Sequence, residues 1–111
     1  MNWKQLTDTQ QIDAIIEASH TQPQVIFKHS TRCSISAMAL SRLERAEQPK
    51  GADFYLLDLL AHRSVSNAIA EKFNVHHESP QILIVSNGEC VYDESHMGIS
   101  PDEIESQLSA A

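Results

Sequence analysis

The residue of this chain best equipped for chemistry is Cys33. It sits in the run Lys28-His29-Ser30-Thr31-Arg32-Cys33-Ser34-Ile35-Ser36, which follows the apolar stretch Val25, Ile26 and Phe27 and opens an amphipathic one. A cysteine where a buried strand turns into a helix faces unpaired N–H groups and the positive end of the helix dipole, and both favour thiolate over thiol. A thiolate is the attacking species in disulfide exchange. Ser36 stands where a dithiol oxidoreductase would carry its second cysteine, so the motif reads Cys-x-x-Ser and the chemistry expected is monothiol. Arg32, next to the sulfur, is expected to favour the thiolate further and to attract an anionic carboxylate.

The other chemically capable side chains fit structural roles. Cys90 lies near the tip of an expected hairpin, and a strand rises about 3.3 Å per residue, so it reads as a structural thiol. His29, His76, His77 and His96 are numerous, yet neither Cys-x-x-Cys nor His-x-x-x-His spacing is present, so no metal site is expected. Glu103 and Glu105 read as helix-end and solvent-face charges.

The elements that must position Cys33 alternate. Thr7 or Asp8 suits the cap of a first helix with Ile12, Ile15 and Ile16 on one face, and Pro23 separates it from a strand near Val25 to His29. From Ser34, the residues Ile35, Met38, Ala39, Leu43 and Ala46 recur at helical spacing until Pro49 and Gly51. Phe54 to Leu59 is almost continuously apolar, as expected of a strand covered on both faces. Ser64 suits the cap of a third helix bearing Val65, Ala68, Ile69 and Phe73. Ile82 to Val85, the turn Asn87-Gly88 and Glu89 to Tyr92 read as an antiparallel hairpin. Ile99-Ser100-Pro101-Asp102-Glu103-Ile104 combines a cap, a first-turn proline, a capping-box Glu and a hydrophobic staple for a last helix.

Composition narrows the class. The 111 residues, 41% apolar and 21% charged, suit a single domain over 1–111 with its own core. A formal charge of −7, from 8 basic and 15 acidic residues, argues against nucleic acid or an anionic membrane as partner. The two cysteines do not make a disulfide framework, and Met1 to Leu6 carries no apolar signal core, so a cytoplasmic location is expected.

The order αβαβαββα resembles the thioredoxin fold, a central four-stranded mixed sheet with helices on both faces. The segment Ser79-Pro80-Gln81-Ile82-Leu83-Ile84-Val85-Ser86-Asn87-Gly88-Glu89 is similar to the cis-proline strand and hairpin of that fold. Taken together, the Lys28–Ser36 run, His77-Glu78-Ser79-Pro80-Gln81 and Asp93-Glu94-Ser95-His96 resemble the monothiol bacilliredoxins. Members of that family typically carry proline after the reactive cysteine and an aromatic residue after Ser-His; this chain has Ser34 and Met97. The resemblance implies that Ser79 and Pro80 flank Cys33, with the Ser79 backbone presented to an extended substrate segment. If the hairpin pairs symmetrically about Asn87-Gly88, Ser95 and His96 return to the level of Ser79-Pro80, where a histidine would stabilise the thiolate or protonate a leaving thiol. The supporting residues expected around Cys33 are therefore Thr31, Arg32, Ser36, Ser79, Pro80 and His96.

The activity implied is removal of a low-molecular-weight thiol from S-thiolated client proteins, with bacillithiol suggested as that co-substrate and no permanently bound cofactor. A second small thiol, or a partner redoxin or reductase, would regenerate Cys33. Two other classes stand beside this one. One is a non-catalytic redox sensor or stress-induced binding module that is itself thiolated at Cys33. The other is an iron–sulfur carrier of the monothiol glutaredoxin kind, weakened by Ser34 and Ile35 where that family has Gly and Phe; a bound cluster would absorb in the visible.

Overall fold

A computed structural model describes all residues 1–111. Five strands form one sheet: β1 (Trp3–Gln5), β2 (Gln24–His29), β3 (Asp53–Asp58), β4 (Gln81–Ser86) and β5 (Glu89–Ser95). Four helices connect and flank them: α1 (Gln10–Ala18), α2 (Ser34–Arg45), α3 (Arg63–Lys72) and α4 (Pro101–Ala110). The strand order is β1-β3-β2-β4-β5, with β1, β3 and β2 mutually parallel and β4 and β5 antiparallel to their neighbours.

The sheet thus has one strand more than the four expected. Trp3–Gln5 is too short to show a two-residue period, and it is tertiary packing that holds it. The Trp3 ring stacks on Phe27, centroids 6.0 Å apart, and meets Phe54 edge-on at 6.0 Å. Two caps also differ from expectation. Helix α1 is capped at Thr9, with Asp8 Oδ1 accepting from Gln10 N–H at 2.8 Å, and α3 is capped at His62 rather than Ser64.

Strand β2 is the centre of the molecule, and all six of its residues are buried. Its side chains alternate across the sheet, as the pleat requires. Ile26 joins Ile12, Ile15, Leu57, Val65, Ile69 and Leu83 in a core under α1 and α3. Val25 and Phe27 join Ala39, Leu43, Phe54, Ile82, Ile84 and Ile104 in a second core under α2 and α4. At about 1.5–3 kcal/mol per buried aliphatic or aromatic side chain, these two layers dominate the stability of the fold.

The hairpin turn uses left-handed backbone at Asn87 (φ 51°) and Gly88 (φ 81°), as its Asn-Gly sequence predicts. Beyond it β5 bulges: Val85 pairs with Cys90 while Ile84 pairs with Tyr92, leaving Val91 extra. The bulge shifts the register by one residue from symmetric pairing. Gln81 therefore faces Ser95, and His96 N–H donates to the Pro80 carbonyl at 3.0 Å. No helix is long and apolar enough to cross a membrane.

Candidate active site

The run that carries Cys33 leaves the sheet at His29, the end of β2, and re-enters regular structure at Ser34, the start of α2. Cys33 is the N-cap, with extended backbone (φ −110°, ψ 121°) and no capping hydrogen bond from its side chain. Its N–H donates to the Ser30 carbonyl at 3.2 Å, and its own carbonyl accepts the first helical bond from Ala37 N–H at 3.0 Å. The thiol is free and half-buried. Thr31 and Arg32 are exposed on the same turn, and none of the ion pairs involves Arg32.

Ser36 holds this turn in shape. It is fully buried, and its Oγ accepts from Ser30 N–H at 3.0 Å while lying 2.6 Å from His29 Nδ1. One hydroxyl thereby ties the end of β2, the turn and the first turn of α2. His29 is buried against Phe27, ring centroids 6.0 Å apart, and burial pushes its pKa down despite the opposing charge of Asp58. A neutral imidazole suits the bond to the serine hydroxyl. Sequence reading took His29 for an ordinary surface or core histidine; its link to Ser36 depends on a contact seven residues away that no spacing rule announces.

The second half of the site lies at the same end of the sheet, since Lys28 of β2 pairs with Gln81 of β4. The Ser79-Pro80 peptide bond is cis, and the Ser79 hydroxyl is buried without a hydrogen-bond partner. His96 reaches Pro80 through its backbone. Its left-handed conformation (φ 54°), uncommon for a residue with a side chain, turns the chain out of β5 into a 3₁₀ turn, His96–Gly98, which packs on α2. The His96 ring is exposed, with Nε2 3.5 Å from Glu78 Oε1; His76 Nε2 lies 3.5 Å from the other oxygen of that carboxylate. No three of the His, Cys, Asp and Glu side chains are grouped so as to hold a metal ion.

Three of the four large apolar side chains left exposed, Ile35, Met38 and Met97, lie on α2, which begins at Cys33, and on the turn packed against it. Cys90 is elsewhere. It sits at the hairpin end of β5, paired with Val85, with Sγ 3.3 Å from the Tyr92 carbonyl and its thiol pKa pushed up by burial. Lys28, to which the sequence motif assigns no separate role, is fully buried with Nζ 3.3 Å from His77 Nδ1.

Known structures share this fold. A thioredoxin-fold protein described as a candidate oxidoreductase superposes with a TM-score of 0.81 at 32% identity, covering 95% of this chain and 91% of its own. Thioredoxin of Trypanosoma brucei brucei gives 0.76 at 15% identity, over 98% of this chain and 89% of its own. Thioredoxin of Fasciola hepatica gives 0.74 at 14% identity, over 96% and 97%. The last two establish the fold alone. Residues 4–104 match the family described as monothiol bacilliredoxin BrxC. With the thioredoxin fold, a lone N-cap cysteine and a serine at the second-thiol position, the chain belongs to the monothiol bacilliredoxin family.

Proposed function

We propose that this protein removes a low-molecular-weight thiol, bacillithiol or a similar molecule, from S-thiolated protein cysteines. The Cys33 thiolate attacks the small thiol's sulfur in the client's mixed disulfide. The client sulfur leaves with the bonding electron pair as thiolate, and a new mixed disulfide joins Cys33 to the small thiol. A second small thiolate then attacks the small-thiol sulfur, expelling Cys33 thiolate and forming the small-molecule disulfide. A partner redoxin or reductase can take that second step instead.

The observation that supports a monothiol cycle best is Ser36: a buried hydroxyl tied to Ser30 and His29 occupies the position from which a second thiol would resolve Cys33. Cys33 caps α2, whose first-turn N–H groups lack helical acceptors. Thr31, Arg32, Ser79, Pro80 and His96 shape the surroundings, with Arg32 available to a carboxylate on the small thiol. The exposed apolar side chains of Ile35, Met38 and Met97, on α2 and the turn packed on it, favour a protein as one of the two substrates.

The test is release of bacillithiol from a bacillithiolated model protein by wild type, Cys33→Ser and Cys90→Ser, read by mass spectrometry. Activity in wild type and Cys90→Ser but not Cys33→Ser is expected. Reversible thiolation of Cys33 without turnover would instead make the protein a sensor or binding module.

A further inference from the structure

Lys28 is a charged side chain near the C-terminal end of a core strand. It points into the layer of α1 and α3, opposite to Phe27 and His29, it is fully buried, and it makes no ion pair with any carboxylate. Its Nζ meets His77 Nδ1 at 3.3 Å, and Ser66 Oγ of α3 reaches the same nitrogen at 3.4 Å. A lysine ammonium can only donate, so Nδ1 must accept and the His77 proton must sit on Nε2. The environment agrees, since burial and then the neighbouring Lys28 charge hold the His77 pKa down.

Gln81, paired directly across from Lys28, supplies two more ties. Its Nε2 donates to the His76 carbonyl at 3.0 Å, and its Oε1 accepts from Glu78 N–H at 3.4 Å. Residues 76, 77 and 78 are thus each bound to one of two adjacent strand positions. The segment Val75–Pro80 belongs to no helix or strand, so these side chains replace the backbone ladder it lacks. A methionine would fill the space of the lysine stem without burying an amine, and packing therefore does not account for the residue type.

We infer that Lys28 is a positioning residue for the exchange reaction, its buried amine and Gln81 holding His76–Ser79 so that the Ser79 backbone is set to receive an extended client segment. This rests on the exchange activity proposed above. The small thiol has no extended segment to receive, so the tether acts on protein substrates alone.

The experiment compares wild type, Lys28→Met, His77→Leu and His77→Asn, using a bacillithiolated protein and, as a small neutral probe, 2-hydroxyethyl disulfide. Hydrogen exchange of residues 75–80 is followed alongside. Loss of one charged hydrogen bond should raise KM for the protein substrate about tenfold in Lys28→Met and His77→Leu, with kcat within about twofold. The rate with 2-hydroxyethyl disulfide should not change. His77→Asn, whose Oδ1 takes the place of Nδ1, should recover most of the loss. A wild-type KM in both Lys28→Met and His77→Leu, or a parallel loss with the small disulfide, overturns the inference. So does a His77→Asn variant as impaired as His77→Leu. If wild type itself releases no thiol from protein, the exchange reading fails, and hydrogen exchange decides the tether. Faster exchange at 76–79 in Lys28→Met and His77→Leu, restored in His77→Asn, supports it; equal protection in all variants overturns it.

Discussion

Replacing Lys28 by methionine should make the protein more stable, and the gain should depend on pH in a way only a buried amine explains. Burial lowers the Lys28 pKa from its ordinary 10.5 to about 8 in the folded protein. A base whose folded pKa is lowered costs stability wherever the unfolded chain holds its proton more tightly. The whole penalty is present below pH 8, it shrinks as pH rises from 8 to 10.5, and it is nearly gone above that. At about 1.4 kcal/mol per pH unit, the gap sets a ceiling of roughly 3.4 kcal/mol at pH 7. The hydrogen bond from the amine to His77 Nδ1 offsets part of that ceiling, so the effective cost is about 2 kcal/mol. Methionine nearly matches the lysine stem in volume and adds no strain of consequence. Lys28→Met should therefore unfold at a denaturant midpoint corresponding to about 2 kcal/mol more stability at pH 7, or a Tm roughly 8 °C higher. By pH 10.5 the two proteins should agree within about 0.5 kcal/mol. Paired urea titrations at pH 7, 8.5 and 10.5 measure this. A variant less stable than wild type at pH 7, or a difference that stays constant across the three pH values, would refute the argument from desolvation.

Further outcomes follow from the same contacts. Ser36→Ala removes the acceptor of Ser30 N–H and the partner of His29 Nδ1, so it should cost about 1–3 kcal/mol in urea unfolding with an unchanged m value; a loss under about 0.5 kcal/mol would mean that the turn does not depend on it. His29 should titrate by NMR with a midpoint below 6.5. Because the unfolded chain takes up that proton first, His29 should contribute a loss of stability as pH falls from about 6.5 to the folded midpoint, and a midpoint at or above 6.5 contradicts its burial. Cys90 should be alkylated by iodoacetamide at pH 8 more slowly than free cysteine in the native protein and at the free rate in urea; equal native and unfolded rates would contradict its raised pKa.

Much of this protein is decided locally and can be read along the chain. The alternation of helix and strand from α1 to α4 follows from apolar spacing, caps and breakers. The turn at Asn87-Gly88 follows from two residues that tolerate left-handed backbone. The expectation of a reactive cysteine at a helix start rests on short-range features as well: three buried residues, a turn, and helical periodicity from Ser34 onward. Local features do not specify what lies across the sheet. Strand β1 exists because Trp3 finds Phe27 and Phe54, which are 24 and 51 residues away. The bulge at Val91 moves His96 onto the Pro80 carbonyl, and a one-residue shift of this kind changes which side chain reaches the site while leaving the apolar pattern almost intact. Lys28 reads in sequence as the polar end of a strand. Its burial, like the link from His29 to Ser36, comes from elements packed over both faces of β2, because what a side chain meets inside a core depends on which neighbours the fold delivers there.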